Sequence, residues 1–109
     1  MHDLIVEALL PLDIDLGFMK YEGNAKEYII FNVYDEKDSN LCDDINLSET
    51  YYIQVNYWFK SLKNISKYKQ IKDILKSKGF YFDNAVDLVD EDFYGKSMDF
   101  IYVNFREEK

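Results

Sequence analysis

A chain of 109 residues with 48% hydrophobic and 17% aromatic content suits one domain spanning 1–109 and argues against disorder; it buries roughly 65% of its unfolded surface, enough for a core without covalent staples. A net charge of −8 and a pI near 4.5 are far from the basic footprint of a nucleic-acid-binding domain. The single cysteine, Cys42, excludes an internal disulfide, and without a Cys/His cluster it also speaks against zinc.

The chain opens with "HDLIVEALLP", which reads as a helix. Leu4, Ile5, Ala8 and Leu9 make one apolar face, and Pro11 ends it. This apolar run carries Asp3 and Glu7, lacks a basic leader and is too short to span a bilayer. The expectation is a soluble, unsecreted protein with no membrane partner. "IDLGFMKY" (14–21) reads as a short strand and "NAKEYIIFNVYD" (24–35) as a long one. Gly23-Asn24 between them suggests a turn, hence a hairpin. In the long strand Ile29, Phe31 and Val33 face one way, and Tyr28, Ile30, Asn32 and Tyr34 the other.

"EKDSNLCDDINLS" (36–48) is polar and rich in turn formers. A loop of that length in a small domain is expected to be mobile in the free subunit and ordered against a neighbour. "ETYYIQVNYWFKS" (49–61) follows as a third strand. Tyr51, Ile53, Val55 and Tyr57 lie on one side, and Tyr52, Gln54, Asn56 and Trp58 on the other. "NISKYKQIKDILKSKGF" (64–80) reads as a second helix with Ser66 as N-cap, Gly79 just past the C-terminus, and Tyr68, Ile71, Ile74 and Leu75 on its apolar face. "GFYF" (79–82) opens a short strand that leads into an acidic stretch, and "KSMDFIYVNF" (96–105) closes the chain as a last strand. The order α-β-β-β-α-β-β implies an α+β fold: a mainly antiparallel sheet of four to five strands with two helices packed on one face. Residues expected in its core are Ile29, Phe31, Val33, Ile53, Val55, Ile71 and Leu75.

Charge is unevenly distributed. Residues 60–78 hold seven Lys and one Asp, a net of +6, so the remainder carries −14. Asp83, Asp87, Asp90, Glu91 and Asp92 concentrate acid in one short stretch. Opposite-sign patches on one chain suit heterologous contacts between copies, although a solvated helix face and an acidic loop would show the same pattern.

The residue types for catalysis are sparse. His2 is the only histidine and lies near a terminus, and Cys42 has no internal His partner. "DEKDSNLCDDINLSE" (35–49) lacks the glycine and the acidic spacing of a calcium loop. "DLVDED" (87–92) offers carboxylates, but so small a domain rarely builds a glycosidase cleft. No glycine-rich phosphate loop is present. The expectation is a protein that is not an enzyme and uses neither cofactor nor metal.

The strands share a habit that points elsewhere. One face favours aliphatics (Ile29/Phe31/Val33, Ile53/Val55, Ile101/Val103). The other favours aromatics and amides (Tyr28/Asn32/Tyr34, Tyr52/Gln54/Asn56/Trp58, Phe100/Tyr102/Asn104). Two helices cover one face and leave the other bare. Large aromatics with few charges to desolvate suit the centre of a protein-protein interface, while high β-propensity alone would also place them on a strand. Tyr52, Gln54 and Trp58 are the candidate interface residues, with Lys69 and Lys72 of the basic helix as a charged second patch.

"YYIQVNYWFKS" (51–61), the helix "YKQIKDILKSKGF" (68–80), "DLVDEDF" (87–93) and the aromatic "MDFIYVNF" (98–105), preceded by "YIIFNVYDE" (28–36), resemble the tail-completion proteins of long-tailed phages and prophages, also called tail-terminator or tail-to-head joining proteins. The resemblance covers nearly the whole chain. It departs in a longer 60–67 connection and in "YGKS" (94–97), which has no histidine. The resemblance implies a virion protein that forms a ring, usually a hexamer, at the head-proximal end of the tail tube. The ring ends tube polymerisation and docks the tail on the head connector. Its partners would be other copies of itself, the tail tube protein and the connector, and its place the virion neck after assembly in the host cytoplasm. No sequence-specific nucleic acid is implied. A reading from another class is a small acidic phage-encoded inhibitor that mimics DNA and blocks a host nuclease or other DNA-binding protein.

Overall fold

The computed structural model describes residues 1–38 and 48–105. Its elements run α1 (His2–Leu9), β1 (Asp15–Phe18), β2 (Glu27–Asp38), β3 (Ser48–Phe59), α2 (Tyr68–Ser77), β4 (Tyr81–Asp90) and β5 (Phe93–Phe105), with 3-10 turns at Leu10–Leu12 and Leu62–Asn64. The fold is α+β, with one five-stranded mixed sheet in the order β1-β2-β3-β5-β4 and two helices. Three of the four pairings are antiparallel; β1 and β2 run parallel.

The core follows from the alternation in β2 and β3. Ile29 and Phe31 of β2 and Ile53, Val55, Tyr57 and Phe59 of β3 are buried, in one cluster with Ile5, Ala8 and Leu9 of α1 and Ile71 and Leu75 of α2. Burying an aliphatic side chain of this size contributes about 1.5–3 kcal/mol. Val33, expected in the core, is only partly buried, because the ladder slips by one residue between Val33 and Asp35. That bulge puts Tyr34 out of register, where it is exposed.

α1 stops at Leu9, and Pro11 lies within the 3-10 turn that follows. At the end of α2 the Gly79 N–H donates to the Lys76 carbonyl at 3.1 Å and the Phe80 N–H to that of Leu75 at 3.1 Å. This is a Schellman motif, and Gly79 takes the left-handed conformation it requires, at φ +97°. Phe80 is then delivered into the core beside Leu75. Ser66 does not cap α2. The residue before the helix is Lys67, already in helical conformation, and no side chain caps it. The capping serine of this region is Ser61, whose Oγ accepts from the Lys63 N–H at the start of the 3-10 turn.

Three other expectations are corrected. The first two strands form no hairpin: Asp15 pairs with Tyr28 and Phe18 with Phe31 in parallel. The connection doubles back beside β1 instead of turning between antiparallel strands. Met19, at φ +70°, donates its N–H to the Phe31 carbonyl at 2.9 Å. A Cβ on Gly17 would lie 2.2 Å from the Lys20 carbonyl oxygen, so the return passes too close for any other residue there. Tyr21 holds the return in place. Its hydroxyl donates to Asp15 at 2.7 Å and accepts from the Ala25 N–H at 3.0 Å, and its ring stacks on Tyr28 at 4.1 Å.

The strand opened by "GFYF" is also longer than expected and runs through the acidic stretch. Asp83, Asp87 and Asp90 belong to β4, which joins β5 through a turn at Glu91-Asp92 with Glu91 at φ +56°. Its charges are tolerable because β4 is an edge strand.

Finally, β5 turns the other way. Met98 and Phe100 are buried opposite Val55 and Ile53, and Tyr102 packs on the core, while Ile101 and Val103 lie on the other face. Burial of Asp99, which shares a face with Ile101 and Val103, would carry the full cost of an unpaired charge. The loop expected over 36–48 is shorter at both ends, since β2 runs to Asp38 and β3 starts at Ser48. The rest of it, Cys42 included, lies outside the described residues.

Candidate protein-protein interface

Tyr52, Gln54, Asn56 and Trp58 stand on the face of β3 opposite Ile53, Val55 and Tyr57, and all four are half-buried. β3 is the central strand, so its register builds rows across the sheet. Tyr28, Trp58, Gly95 and Leu88 form the first; Ile30, Asn56, Ser97 and Val86 the second; Asn32, Gln54, Asp99 and Asn84 the third. Tyr52 follows, paired with Ile101.

The Trp58 end is covered by its own neighbours. The indole lies over Gly95, where an added Cβ would come within 2.6 Å of the ring. Tyr28 is stacked by Tyr21 on one side and meets Phe93 edge-on at 5.3 Å. Burial raises the Tyr28 phenol pKa, and the charge of Asp90 adds to it. Lys60 sits 5.0 Å from the Phe93 ring centroid and 3.1 Å from Asp92, holding that carboxyl below its usual range through the hydrogen bond it donates.

The Tyr52 end is more open. Tyr34 is 52% exposed and its ring lies 6.2 Å from that of Tyr52, which also receives Lys37 at 5.5 Å. The Tyr34 phenol is raised by burial first, then by Asp99 and Asp83. Between the two ends, Asn56 donates to Gln54 at 3.3 Å, while its own Oδ1 is shielded from solvent with no hydrogen-bond partner among the described residues. An acceptor in that state costs about 1–3 kcal/mol unless a partner supplies a donor. Asp99 places one charge in the amide row, a departure from the uncharged face that the sequence suggests.

Lys69 and Lys72 are not brought to this face. They belong to α2, whose Ile71 and Leu75 cluster with Ile53 and Val55. Lys69 is exposed, and the Lys72 ammonium lies 4.1 Å above the Phe82 ring, a cation–π contact. The sequence reading also missed Gly95, Tyr21 and Phe93. For Gly95 the signal was a glycine in a strand, which often marks close approach by another group.

Away from this face, Glu27 joins two elements. Its Oε2 accepts from the buried Tyr57 hydroxyl and from Lys67 at 2.8 Å. Burial pushes the Glu27 carboxyl up, but those two hydrogen bonds and the Lys67 charge outweigh it and leave the group below its ordinary value. Burial and the bond to Glu27 raise the Tyr57 phenol strongly. Glu27 also lines a cleft of about 550 Å³ with Asp13, Asp15, Lys60 and Asn64. His2 heads α1 with its ring against Phe18 at 5.1 Å and Phe31 at 5.5 Å. Among the described residues no group of three or more His, Cys, Asp or Glu is arranged to hold a metal ion, and no helix is long and apolar enough to cross a membrane.

Compared with models of known protein families and with curated proteins, the chain matches none.

Proposed function

We propose that this chain is a structural assembly subunit that docks through the Tyr52–Trp58 face. In the specific form suggested by its likeness to tail-completion proteins, copies form a ring, a hexamer, at the head-proximal end of a phage tail tube. The ring caps the tube and joins it to the head connector, so the protein resides at the virion neck after assembling in the host cytoplasm. Both helices lie on the aliphatic face in this reading, which leaves the aromatic face for a neighbour or the tube.

One observation carries the proposal: rows of large aromatics and amides on the central strands. Aromatic anchors near an interface centre are where binding energy concentrates. The acidic-inhibitor reading has weaker support, since Lys96 and Lys60 already pair with Asp87 and Asp92.

Electron microscopy of the purified protein, alone and mixed with polymerised tail tube protein, tests the reading. Rings seated at one end of the tubes are expected. A protein that stays monomeric beside bare tubes, or that copurifies with a nuclease, would overturn it.

A further inference from the structure

Two features meet at the far edge of the sheet. β4 is outermost and pairs only with β5. In an antiparallel ladder alternate residues turn their N–H and C=O groups away from the partner strand, so β4 offers a row of unpaired donors and acceptors on its outer side. Its irregularity lies at Asp83, and register is unbroken from Asn84 to Asp90. Beside this edge runs an apolar groove of about 370 Å³, lined by Phe59, Leu62, Ile65, Leu88, Val89 and Tyr94. Its walls are exposed: Leu62 by 56%, Ile65 by 54% and Val89 by 69%.

Charge selects the occupant. Lys96 lies 2.6 Å from Asp87 and Lys60 3.1 Å from Asp92. Among the described residues Asp83, Asp90 and Glu91 have no cation within salt-bridge distance. A second copy of β4 would set acid against acid, and no described strand of this chain carries a net positive charge. A basic strand, which the charge of this edge favours, is not among the described strands of this chain.

We propose that the outer edge of β4 and the adjoining groove form a strand-addition site for an extended segment of a protein partner that alternates Lys or Arg with aliphatic residues. The partner backbone pairs with β4. Side chains on one side of the added strand reach Asp90, and those on the other enter the groove between Val89 and Ile65. The site shares no residue with Tyr52, Gln54 and Trp58, and it stands whether or not the chain forms rings.

The test uses a peptide alternating lysine with valine, long enough to span β4, titrated into isotopically labelled protein at about 0.1 M ionic strength, where long-range attraction is screened. Amide signals of 84–90 and 62–65 should shift saturably. The same peptide with glutamate for lysine should not bind. N-methylation of the one alternate set of backbone nitrogens that faces β4 should weaken binding by about tenfold or more, tenfold being the factor for a single lost hydrogen bond near the upper end of the usual range, and methylation of the other set should leave binding unchanged. Asp90→Lys with Glu91→Lys, both exposed, should weaken it by a similar factor. No shift, shifts confined to the Tyr52–Trp58 face or α2, equal binding of the peptide methylated on the set facing β4, or self-association of the protein through β4 would each overturn the proposal.

Discussion

The two faces of β3 differ in how their side chains are satisfied. Ile53, Val55, Tyr57 and Phe59 are buried in one cluster with residues of α1, α2 and β5, and the one polar group among them, the Tyr57 hydroxyl, is answered by Glu27. Tyr52, Gln54, Asn56 and Trp58 are only half-buried, and Asn56 keeps an acceptor without a partner among the described residues. The first face is finished within the chain. The second has the composition of a face finished by something else. Within it the Trp58 end, over Gly95 and beside Tyr28, is nearer completion than the Tyr52 end.

The sharpest contrast comes from adjacent residues. Ile53→Ala should cost about 2–5 kcal/mol as a core truncation, whereas Gln54→Ala should cost only about 0.5–1.5 kcal/mol, for the hydrogen bond it accepts from Asn56. Urea unfolding of the two variants measures both, and equal losses would erase the distinction between the faces. Gly95→Val should come next, at about 1–3 kcal/mol, because the side chain must displace the Trp58 indole. A red-shifted tryptophan emission should accompany it. Gly79→Ala should cost about 1–2 kcal/mol through the left-handed backbone at φ +97°, without changing that emission.

Acid should loosen the finished face through Glu27. Its folded pKa lies below the ordinary value of 4.5, so it stabilises the fold above that pH and the contribution is lost as pH falls through the depressed value. Glu27→Gln should therefore flatten the acid limb of a stability-against-pH curve and, because Glu27 is one cause of the raised Tyr57 phenol, should also soften the loss of stability above the ordinary phenol value of 10.0. The smallest effects belong to Lys69→Glu and Lys72→Glu. Stability should change by about 0.5 kcal/mol or less, and any effect on association should fade with salt.

How much of this was legible in the sequence depended on whether local pattern or tertiary contact set the outcome. β2, β3 and α2 announce themselves because apolar residues recur at the periods of strand and helix. β5 was legible as a strand but not as to face. Met98/Phe100/Tyr102 and Ile101/Val103 are both apolar series, and only Asp99 distinguishes them. The start of β4 was legible in "GFYF", but its run through the acids to Asp90 was not, because an edge strand tolerates charges that a buried strand would exclude. The parallel pairing of β1 depends on Tyr21 bridging Asp15, Ala25 and Tyr28, contacts that no local period reports. Of the candidate interface, Tyr52, Gln54 and Trp58 fall together as their alternation requires, while Lys69 and Lys72 lie on α2, since helix period and strand period say nothing of which patches meet.

The most direct test of the docking face is Trp58→Ala followed by sedimentation, with circular dichroism of the same sample. Truncating a central aromatic often costs 2 kcal/mol or more, on the order of thirty-fold per contact, and a ring repeats each contact. The account predicts a folded variant that sediments as monomer where the unaltered protein forms rings. A variant that assembles as well as the unaltered protein would contradict it, and so would one that unfolds.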